Sequence, residues 1–484
     1  MECTKIHPLH LPEIIASIGP FLSRGSLVTC FSVSKQWYHM LLPWLWVVTK
    51  FTVKGSPTLS SIQKNAKFVR ALSIDYMSVL VLSNTPTTLP ILTSLDIRRS
   101  VLGKPFDDPA LVDFIKRHRE TLISVTLARH TSEAVLAALE DCPRLESLKL
   151  ENQDHVLDPR EWIRQFEQLW SRLHTMSLKN DNYSTDPPRL ETLTTMDWPL
   201  SNGPNRIENL NLSFNQPEAI SGFSTWIVKQ SPDIVRLNWF YVEEDAKSPM
   251  ERLANIFEDD PTFGKKLEDI TLSQVNYRNA SFRFLMESLV QLHRLNLRAT
   301  NFDQESWAIL RTTKPAHLKT LTALDLSYCT ELPAKAIHQM LCEMPSLRTF
   351  AARAVEDKEI LEDPRPWVCL NMVMLTLRLS LTSFSTEPSV RTLAIQRYLA
   401  QVGQLKRLEV LTDFLPRYEQ ECLVVLEVES GLDALKDLRR LRSVSWVRAC
   451  MGKNKVRWIL ENWPLLENPS RSRLLTRLDR GGFP

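Results

Sequence analysis

The sequence predicts an α/β solenoid, with a parallel sheet on one side and helices on the other, behind a small all-α module. A six-residue apolar pattern recurs along most of the chain, and segments between its copies have helical periodicity. The first fifty residues lack the pattern and predict three short helices instead. A repeat array also suits 484 residues, because a single core typically stops growing at ~250–300 residues.

The recurring pattern is L-x-x-L-x-L. Clear copies occupy 92–97, 122–127, 145–150, 173–178, 207–212, 234–239, 267–272, 292–297, 321–326, 372–377 and 441–446, with weaker copies at 69–74, 347–352 and 408–413. The spacing averages about 29 residues, at the long end of the range of leucine-rich repeats. The sequence therefore predicts a leucine-rich-repeat solenoid of about 14 degenerate repeats over residues 67–450.

The spacing of the leucines determines which side chains are buried. Alternate strand residues point to opposite faces, so the leucines form the core and the x residues face solvent. Neighbouring repeats must stack to bury the leucines, and parallel strands then need crossover segments. Glu161–Trp170, Ser281–Leu289 and Ala334–Leu341 have the helical spacing expected of such crossovers. We expect a horseshoe with the sheet on its concave face.

Small polar residues follow several strands, three positions after the last leucine. The position holds Ser100, Asn215, Thr300 and Cys329, which suit hydrogen bonding to backbone groups of the turn. We therefore interpret Cys329 as a structural residue rather than a reactive thiol.

The segment Leu11–Trp46 is apolar and aromatic throughout. Its spacing predicts one helix ended by Gly19 and Pro20, a second capped by Ser26, and a third over Lys35–Leu42 ended by Pro43. Three short helices cannot bury this much apolar surface by themselves. Part of it is expected to remain exposed as a docking face.

This segment resembles the F-box, the adaptor-binding module of cullin–RING ubiquitin ligases. The similarity rests on Leu11–Ile15 (LPEII), on Leu22 followed by Leu27, on Val33–Tyr38 (VSKQWY), and on Leu41, Pro43, Leu45 and Trp46. Ser34 stands where cysteine is commoner in the family. An F-box followed by leucine-rich repeats is a recurrent architecture in fungi, and the whole chain looks like a protein of that type.

The resemblance implies a substrate-recognition subunit of an SCF-type ligase. It implies that a Skp-type adaptor, and through it a cullin–RING ligase, binds at Leu11, Pro12, Ile15, Val33 and Trp37. The repeats would bind a protein substrate. The predicted domains are a docking module at 1–50, a linker at 51–66, the solenoid, and a basic cap at 451–484. In the alternative, the first helices only cap a leucine-rich-repeat scaffold with no ubiquitin role.

The middle strands carry the candidate substrate surface at their x positions. The candidates are Arg236, Asn238, Phe240, His293, Arg294, Asn296 and Arg298, with Glu268, Thr271 and Asp325 between and beside them. Aromatic residues and arginine are enriched at binding hot spots, and this mixture suits an acidic or phosphorylated partner. The alternative is that these are ordinary solvated residues of the sheet.

No motif for catalysis or for a cofactor occurs. Phosphate-binding loops, zinc-protease motifs and nucleophile elbows are absent, and no histidine pairs with a cysteine at metal-ligand spacing. The acidic runs Glu243–Asp245 and Glu258–Asp260 lie outside the predicted strands, so we interpret them as solvated loops. The sequence therefore predicts neither an enzyme nor a cofactor nor a metal site.

Charge and cysteine usage indicate the compartment. The net charge is +3, and residues 436–484 hold twelve Lys and Arg against four Asp and Glu. This basic end leaves nucleic-acid binding as a rival hypothesis, although a solvated cap is favoured. The first ten residues are polar, and no apolar run approaches the ~20 residues of a membrane helix. Eight scattered cysteines favour reduced thiols in a cytoplasmic or nuclear protein.

Overall fold

The structure is a computed structural model, in which the chain forms two compact units, Met1–Ser231 and Pro232–Pro484. The residues that it describes are 11–51, 57–75, 79, 81–82, 87–97, 109–128, 132–151, 169–180, 206–214, 218–241, 248–381, 387–412, 432–444 and 453–467.

The first unit begins with three helices. They are α1 (Pro12–Ile18), α2 (Arg24–Cys30) and α3 (Lys35–Val47). Helix α1 ends before Gly19, as the sequence predicts. The predicted cap of α2 is wrong: Ser23 caps the helix, and its hydroxyl accepts a hydrogen bond of 3.1 Å from the Ser26 amide. Ser26 is in the third helical position, where its own amide needs an acceptor.

The predicted end of α3 at Pro43 is also wrong, because the helix continues to Val47. A proline inside a helix removes one backbone hydrogen bond and costs ~3 kcal/mol. The residues beyond Pro43 offset that cost by packing: Trp46 is buried, and Trp44 packs against the core of the three helices. Tertiary burial therefore overrides the local signal.

A seven-stranded parallel sheet follows in the first unit, with its strands in chain order. The strands are β1 (Val48–Phe51), β2 (Ala71–Ile74), β3 (Ser94–Ile97), β4 (Ser124–Ala128), β5 (Ser147–Glu151), β6 (Thr175–Asn180) and β7 (Asn209–Phe214). The helices of this part are α4 (Leu59–Lys64), α5 (Pro109–His118), α6 (Glu133–Glu140) and α7 (Glu218–Lys229). The sheet thus starts earlier than predicted, and the predicted linker at 51–66 contains α4.

The second unit has eight parallel strands in chain order. They are β8 (Arg236–Tyr241), β9 (Asp269–Thr271), β10 (Arg294–Asn296), β11 (Ala323–Asp325), β12 (Thr349–Glu356), β13 (Met374–Ser380), β14 (Val410–Thr412) and β15 (Ser443–Val444). Its helices are α8 (Pro249–Asp259), α9 (Asn279–Ser288), α10 (Gln304–Thr313), α11 (Pro315–Thr320), α12 (Ala334–Glu343), α13 (Asp357–Glu362), α14 (Pro388–Gly403) and α15 (Lys453–Asn462).

All fourteen predicted strands are confirmed, and β1 is additional. Equivalent leucines pair across the ladders and are buried, as for Leu295 beside Leu324. Helices α9 and α12 confirm two predicted crossovers, whereas Glu161–Trp170 is described only at its last two residues. The chain is therefore an α/β leucine-rich-repeat solenoid.

The residues after the strands form hydrogen bonds between repeats. The Thr300 hydroxyl donates to the Leu297 carbonyl at 2.8 Å, and the Cys329 thiol lies 3.1 Å from the same oxygen. Burial raises the pKa of the Cys329 thiol. The structural interpretation of Cys329 is confirmed by these contacts, whereas Ser100 and Asn215 lie outside the described residues.

Candidate protein-interaction surfaces

The first candidate surface lies on the N-terminal helices, which share a small apolar core. Ile15, Leu27 and Leu41 are buried at its centre, one from each helix. Leu22, Cys30, Phe31, Trp37, Met40 and Trp44 pack around them and are partly buried. The Ser34 hydroxyl caps α3 by accepting a hydrogen bond from the Trp37 amide at 3.2 Å. The serine at the position that departs from the family pattern thus starts the third helix.

Four of the five predicted adaptor-binding residues reach the surface. Leu11 is 38% exposed, Val33 is 62% exposed and Pro12 is exposed, while Trp37 is half-buried against the core. Ile15 has no exposed surface, because its side chain points into the three-helix core. Ile15 therefore stabilises the module and offers no side-chain surface to a partner.

Four exposed apolar residues of residues 11–47 were not predicted to bind an adaptor: Ile14, Phe21, Val28 and Tyr38. Phe21, in the turn after α1, is 86% exposed. Val28 in α2 and Tyr38 in α3 are also exposed, so apolar side chains reach the surface from different parts of the module. The sequence signal for Phe21 was its position after Gly19 and Pro20, where a turn carries the chain out of α1. Exposed aromatic groups of this kind mark interaction sites more often than isolated aliphatic ones.

The second candidate surface is the solvent side of the sheet in the second unit. Arg236, Asp269 and Arg294 stand in register on three neighbouring strands, and Asn238, Thr271 and Asn296 form the next row. The residues between the rows, such as Leu237, Ile270 and Leu295, are buried. The structure thus brings the predicted substrate-binding residues of β8 and β10 onto one face.

Each predicted substrate-binding residue has some solvent exposure. Arg236, Arg294 and Arg298 are exposed, and the other four are half-buried: Asn238, Phe240, His293 and Asn296. Two rows of polar side chains on one side of a parallel sheet can bind an extended segment of a partner.

Asp269 changes the electrostatics of this surface and was missed by the sequence reasoning. One oxygen of its carboxylate lies 3.3 Å from Nε of Arg236 and 3.7 Å from Nε of Arg294. One carboxylate therefore pairs with both guanidinium groups and leaves about one net positive charge on the three side chains. The signal was available in the pattern, since Asp269 occupies an x position of the L-x-x-L-x-L copy at 267–272.

His293 is held by neighbours on both ring nitrogens. Nδ1 lies 3.3 Å from a carboxylate oxygen of Glu268, and Nε2 lies 2.9 Å from Nε2 of Gln291. Because the amide nitrogen of Gln291 can only donate, the neutral ring carries its proton on Nδ1 and donates to Glu268. The imidazole is therefore occupied by contacts within its own repeat and the preceding one.

Arg298 differs from Arg236 and Arg294 because it has an aromatic partner. Its guanidinium carbon lies 4.9 Å from the ring centroid of Tyr328, a cation–π contact with an exposed ring. Arg353, in β12, is exposed as well. Neither Arg298 nor Arg353 forms an ion pair with an acidic residue in the part of the chain that the structure describes. Tyr328 and Arg353 were not predicted as binding residues.

The described residues contain neither a candidate metal cluster nor a candidate membrane helix. Among them, no three His, Cys, Asp or Glu side chains cluster closely enough to hold a metal ion. None of the helices in the described ranges has both the length and the apolar character needed to cross a bilayer.

Comparison with known proteins finds similarity at the level of structure. No family model and no curated protein matches the sequence. The crystal structure of the Rad7 and Elc1 complex from yeast is 13% identical, covers 94% of this chain and 86% of that chain, and has a TM-score of 0.42. A leucine-rich-repeat protein from Leptospira interrogans is 14% identical, covers 90% and 99%, and has a TM-score of 0.33. Both TM-scores are below 0.5, so the assignment as a leucine-rich-repeat solenoid rests on the strands and register of this chain.

Proposed function

We propose that this chain is the substrate-recognition subunit of an SCF-type cullin–RING ubiquitin ligase. The N-terminal helices would bind a Skp-type adaptor, and the sheet face of the second unit would bind a protein substrate. The observation that carries the proposal is the exposed apolar surface of the three helices, because their residues also match the F-box pattern. Burying a large apolar side chain such as Phe21 is worth ~1.5–3 kcal/mol, which an adaptor would supply.

Three of the described cysteines, Cys142, Cys342 and Cys369, are poorly suited to carry ubiquitin as a thioester. A ligase that carries ubiquitin as a thioester needs a reactive thiolate. Burial raises the pKa of Cys142 and Cys342 to about 11 and that of Cys369 to about 12, so these thiols are protonated at neutral pH. In the proposed role, the chain raises the effective concentration of the substrate near the charged enzyme.

The adaptor part is tested by affinity purification of the full-length protein and mass spectrometry of its partners. Wild-type protein should recover a Skp-type adaptor and a cullin. The double variant Leu11→Ala, Pro12→Ala and the single variant Phe21→Ala should lose both partners while retaining native circular dichroism. Val290→Ala is the matched control, because Val290 is an exposed apolar residue outside the module. Absence of an adaptor from the wild-type purification would refute the ubiquitin role.

A protein-interaction scaffold without a ubiquitin role is the second candidate. It is favoured by the continuity of helix and sheet, since α3 ends at Val47 and β1 starts at Val48. The three helices would then cap the array. In that case the Phe21→Ala variant should keep every partner of the wild-type protein.

A further inference from the structure

We infer that the sheet face of the second unit binds an extended acidic segment of its protein partner, with carboxylates three residues apart on Arg298 and Arg353. The inference rests on the proposed role of this face in substrate binding and names the chemistry of the substrate. Tyr328 lies on the repeat between the two arginines and would contact the residues between the carboxylates.

The first observation is the difference in charge compensation among the arginines of this face. Arg236 and Arg294 share the carboxylate of Asp269. No acidic side chain among the described residues pairs with Arg298 or Arg353, although both are exposed. A carboxylate from a partner therefore meets uncompensated positive charge at Arg298 and Arg353. At Arg236 and Arg294 it would have to compete with Asp269. Bidentate pairing between guanidinium and carboxylate is among the stronger polar contacts in proteins.

The second observation concerns the backbone beneath Tyr328. Gln274, Ala299 and Tyr328 occupy equivalent turns, two residues after a buried leucine, and their φ angles are +58°, +55° and +66°. This left-handed conformation favours glycine and asparagine and is unfavourable for a bulky aromatic residue. A strained residue that persists points to a functional role for its side chain. Here the ring is 62% exposed and holds the guanidinium of Arg298 in place.

The spacing of the strands sets the spacing of the ligand. Arg298 follows β10, Arg353 lies in β12, and the repeat of β11 separates them. Two strand separations amount to roughly 10 Å. A segment in the extended polyproline II conformation advances about 3.1 Å per residue with three residues per turn, so its side chains three positions apart lie on one side, about 9 Å from each other. A segment that crosses the strands therefore brings side chains at positions i and i+3 to the two arginines. The residues of the partner segment between the two carboxylates pass over the ring of Tyr328, which favours an apolar side chain at that place.

Asp325 restricts where the acidic segment can lie. It belongs to β11, and its carboxylate accepts a hydrogen bond of 2.9 Å from the Ser327 amide. Its charge repels carboxylates from the middle of the strands. The binding segment is thereby confined to a level two or three residues beyond the row of Asn296, Asp325 and Ala351, where Arg298, Tyr328 and Arg353 lie.

The experiment uses the full-length protein and synthetic fluorescent peptides, with binding followed by fluorescence anisotropy. One peptide carries aspartates at positions i and i+3 around a leucine, a second has them at i and i+1, and a third has asparagines in their place. The first should bind best. Arg298→Ala and Arg353→Ala should each weaken its binding by about tenfold or more, the effect of losing a charge-assisted hydrogen bond. Arg283→Ala is the matched control and should change binding little, because Arg283 is an exposed arginine of helix α9, outside the sheet.

Two further variants separate binding from folding. Tyr328→Gly relieves the left-handed strain, so it should raise the melting temperature while lowering affinity for the peptide. Asp325→Asn should raise affinity. Equal binding of the aspartate and asparagine peptides, or full binding by both Arg298→Ala and Arg353→Ala, would overturn the inference. So would a preference for a phosphoserine peptide or for single-stranded RNA over the aspartate peptide.

The outcome is independent of the adaptor experiment. Arg298→Ala and Arg353→Ala should retain the adaptor that wild-type protein recovers, since both residues lie outside the N-terminal module. Peptide binding without any adaptor would leave this inference standing and refute the ubiquitin role. Recovery of the adaptor without peptide binding would support the ubiquitin role and show that the substrate binds at a different surface.

Discussion

The backbone N–H of Leu89 donates a hydrogen bond of 3.1 Å to Nε2 of His118, a buried imidazole in the first unit. Nδ1 of the same ring lies 2.8 Å from the Phe114 carbonyl oxygen, so the proton of the neutral ring is on Nδ1. Protonation of Nε2 would leave the ring without a nitrogen that can accept the hydrogen bond from the Leu89 amide. Burial lowers the pKa of His118, and it also lowers the pKa of two buried histidines of the second unit, His317 and His338.

These histidines predict that the protein loses stability in mild acid. Their folded pKa values lie below the ordinary value of 6.5, so the unfolded chain takes up protons first as the pH falls. Stability is fully present above about pH 6.5 and decreases below it. Urea unfolding at about pH 7.5 and about pH 5.5 should show the lower midpoint in acid. Burial raises the pKa values of Glu140 and Glu359 above 4.5. The folded chain therefore takes up these protons first as the pH falls, and these two groups add stability at lower pH.

A pair of variants isolates one histidine. His118→Gln keeps an acceptor for the Leu89 amide and cannot be protonated, so it should reduce the difference between the two midpoints. Val290→Gln, at an exposed position without a titratable group, should leave that difference unchanged. Identical midpoints for wild-type protein at both pH values would contradict the prediction.

Gly19 and Gly25 offer a matched test of the N-terminal module. A Cβ atom at Gly19 would lie 2.1 Å from Cδ1 of Trp44, whereas the nearest atom to a Cβ at Gly25 is 4.0 Å away. Gly19→Ala should destabilise the module by ~1–3 kcal/mol through overpacking. Gly25→Ala should leave it as stable or slightly more so, because alanine favours helix. Hydrogen exchange in peptides from residues 11–47 measures both effects, and equal protection in the two variants would show that Trp44 is misplaced.

The ladder leucines should carry much of the stability of each unit. Leu148, Leu212, Leu297 and Leu326 have no exposed surface. Truncation of any one to alanine should cost ~2–5 kcal/mol in the free energy of unfolding, measured with urea. Leu370→Ala, at a position that is about half exposed, should cost much less. A small effect at all four buried positions would contradict the assigned register.

The Cys329 thiol should resist alkylation in the native protein. It is fully buried and bonded to the Leu297 carbonyl, and its pKa is raised. Cys342 is the internal comparison, because it is partly exposed and its pKa is also raised, to about 11. Mass spectrometry after brief treatment with iodoacetamide should find Cys342 labelled before Cys329. Faster labelling of Cys329, with native circular dichroism retained, would show that its strand is misplaced.

Sequence reasoning located the strands well and the ends of the helices less well. The strands follow from a leucine spacing that only one arrangement can bury, so all fourteen could be predicted. The end of α3 was wrong because Pro43 is a local signal, and the packing of Trp44 and Trp46 outweighs it. The strand β1 carries no leucine pattern and gains its place by pairing with β2.

The sequence by itself determined the repeat, the buried leucines and the presence of an apolar helical module, because these depend on local spacing. The tertiary structure alone decided which of the surface residues are available to a partner. It buried Ile15 in the core of three helices and exposed Phe21. It also placed Asp269 between Arg236 and Arg294, and the ring of Tyr328 beside Arg298. Charge pairing across strands depends on register between residues about thirty positions apart, which no local pattern encodes.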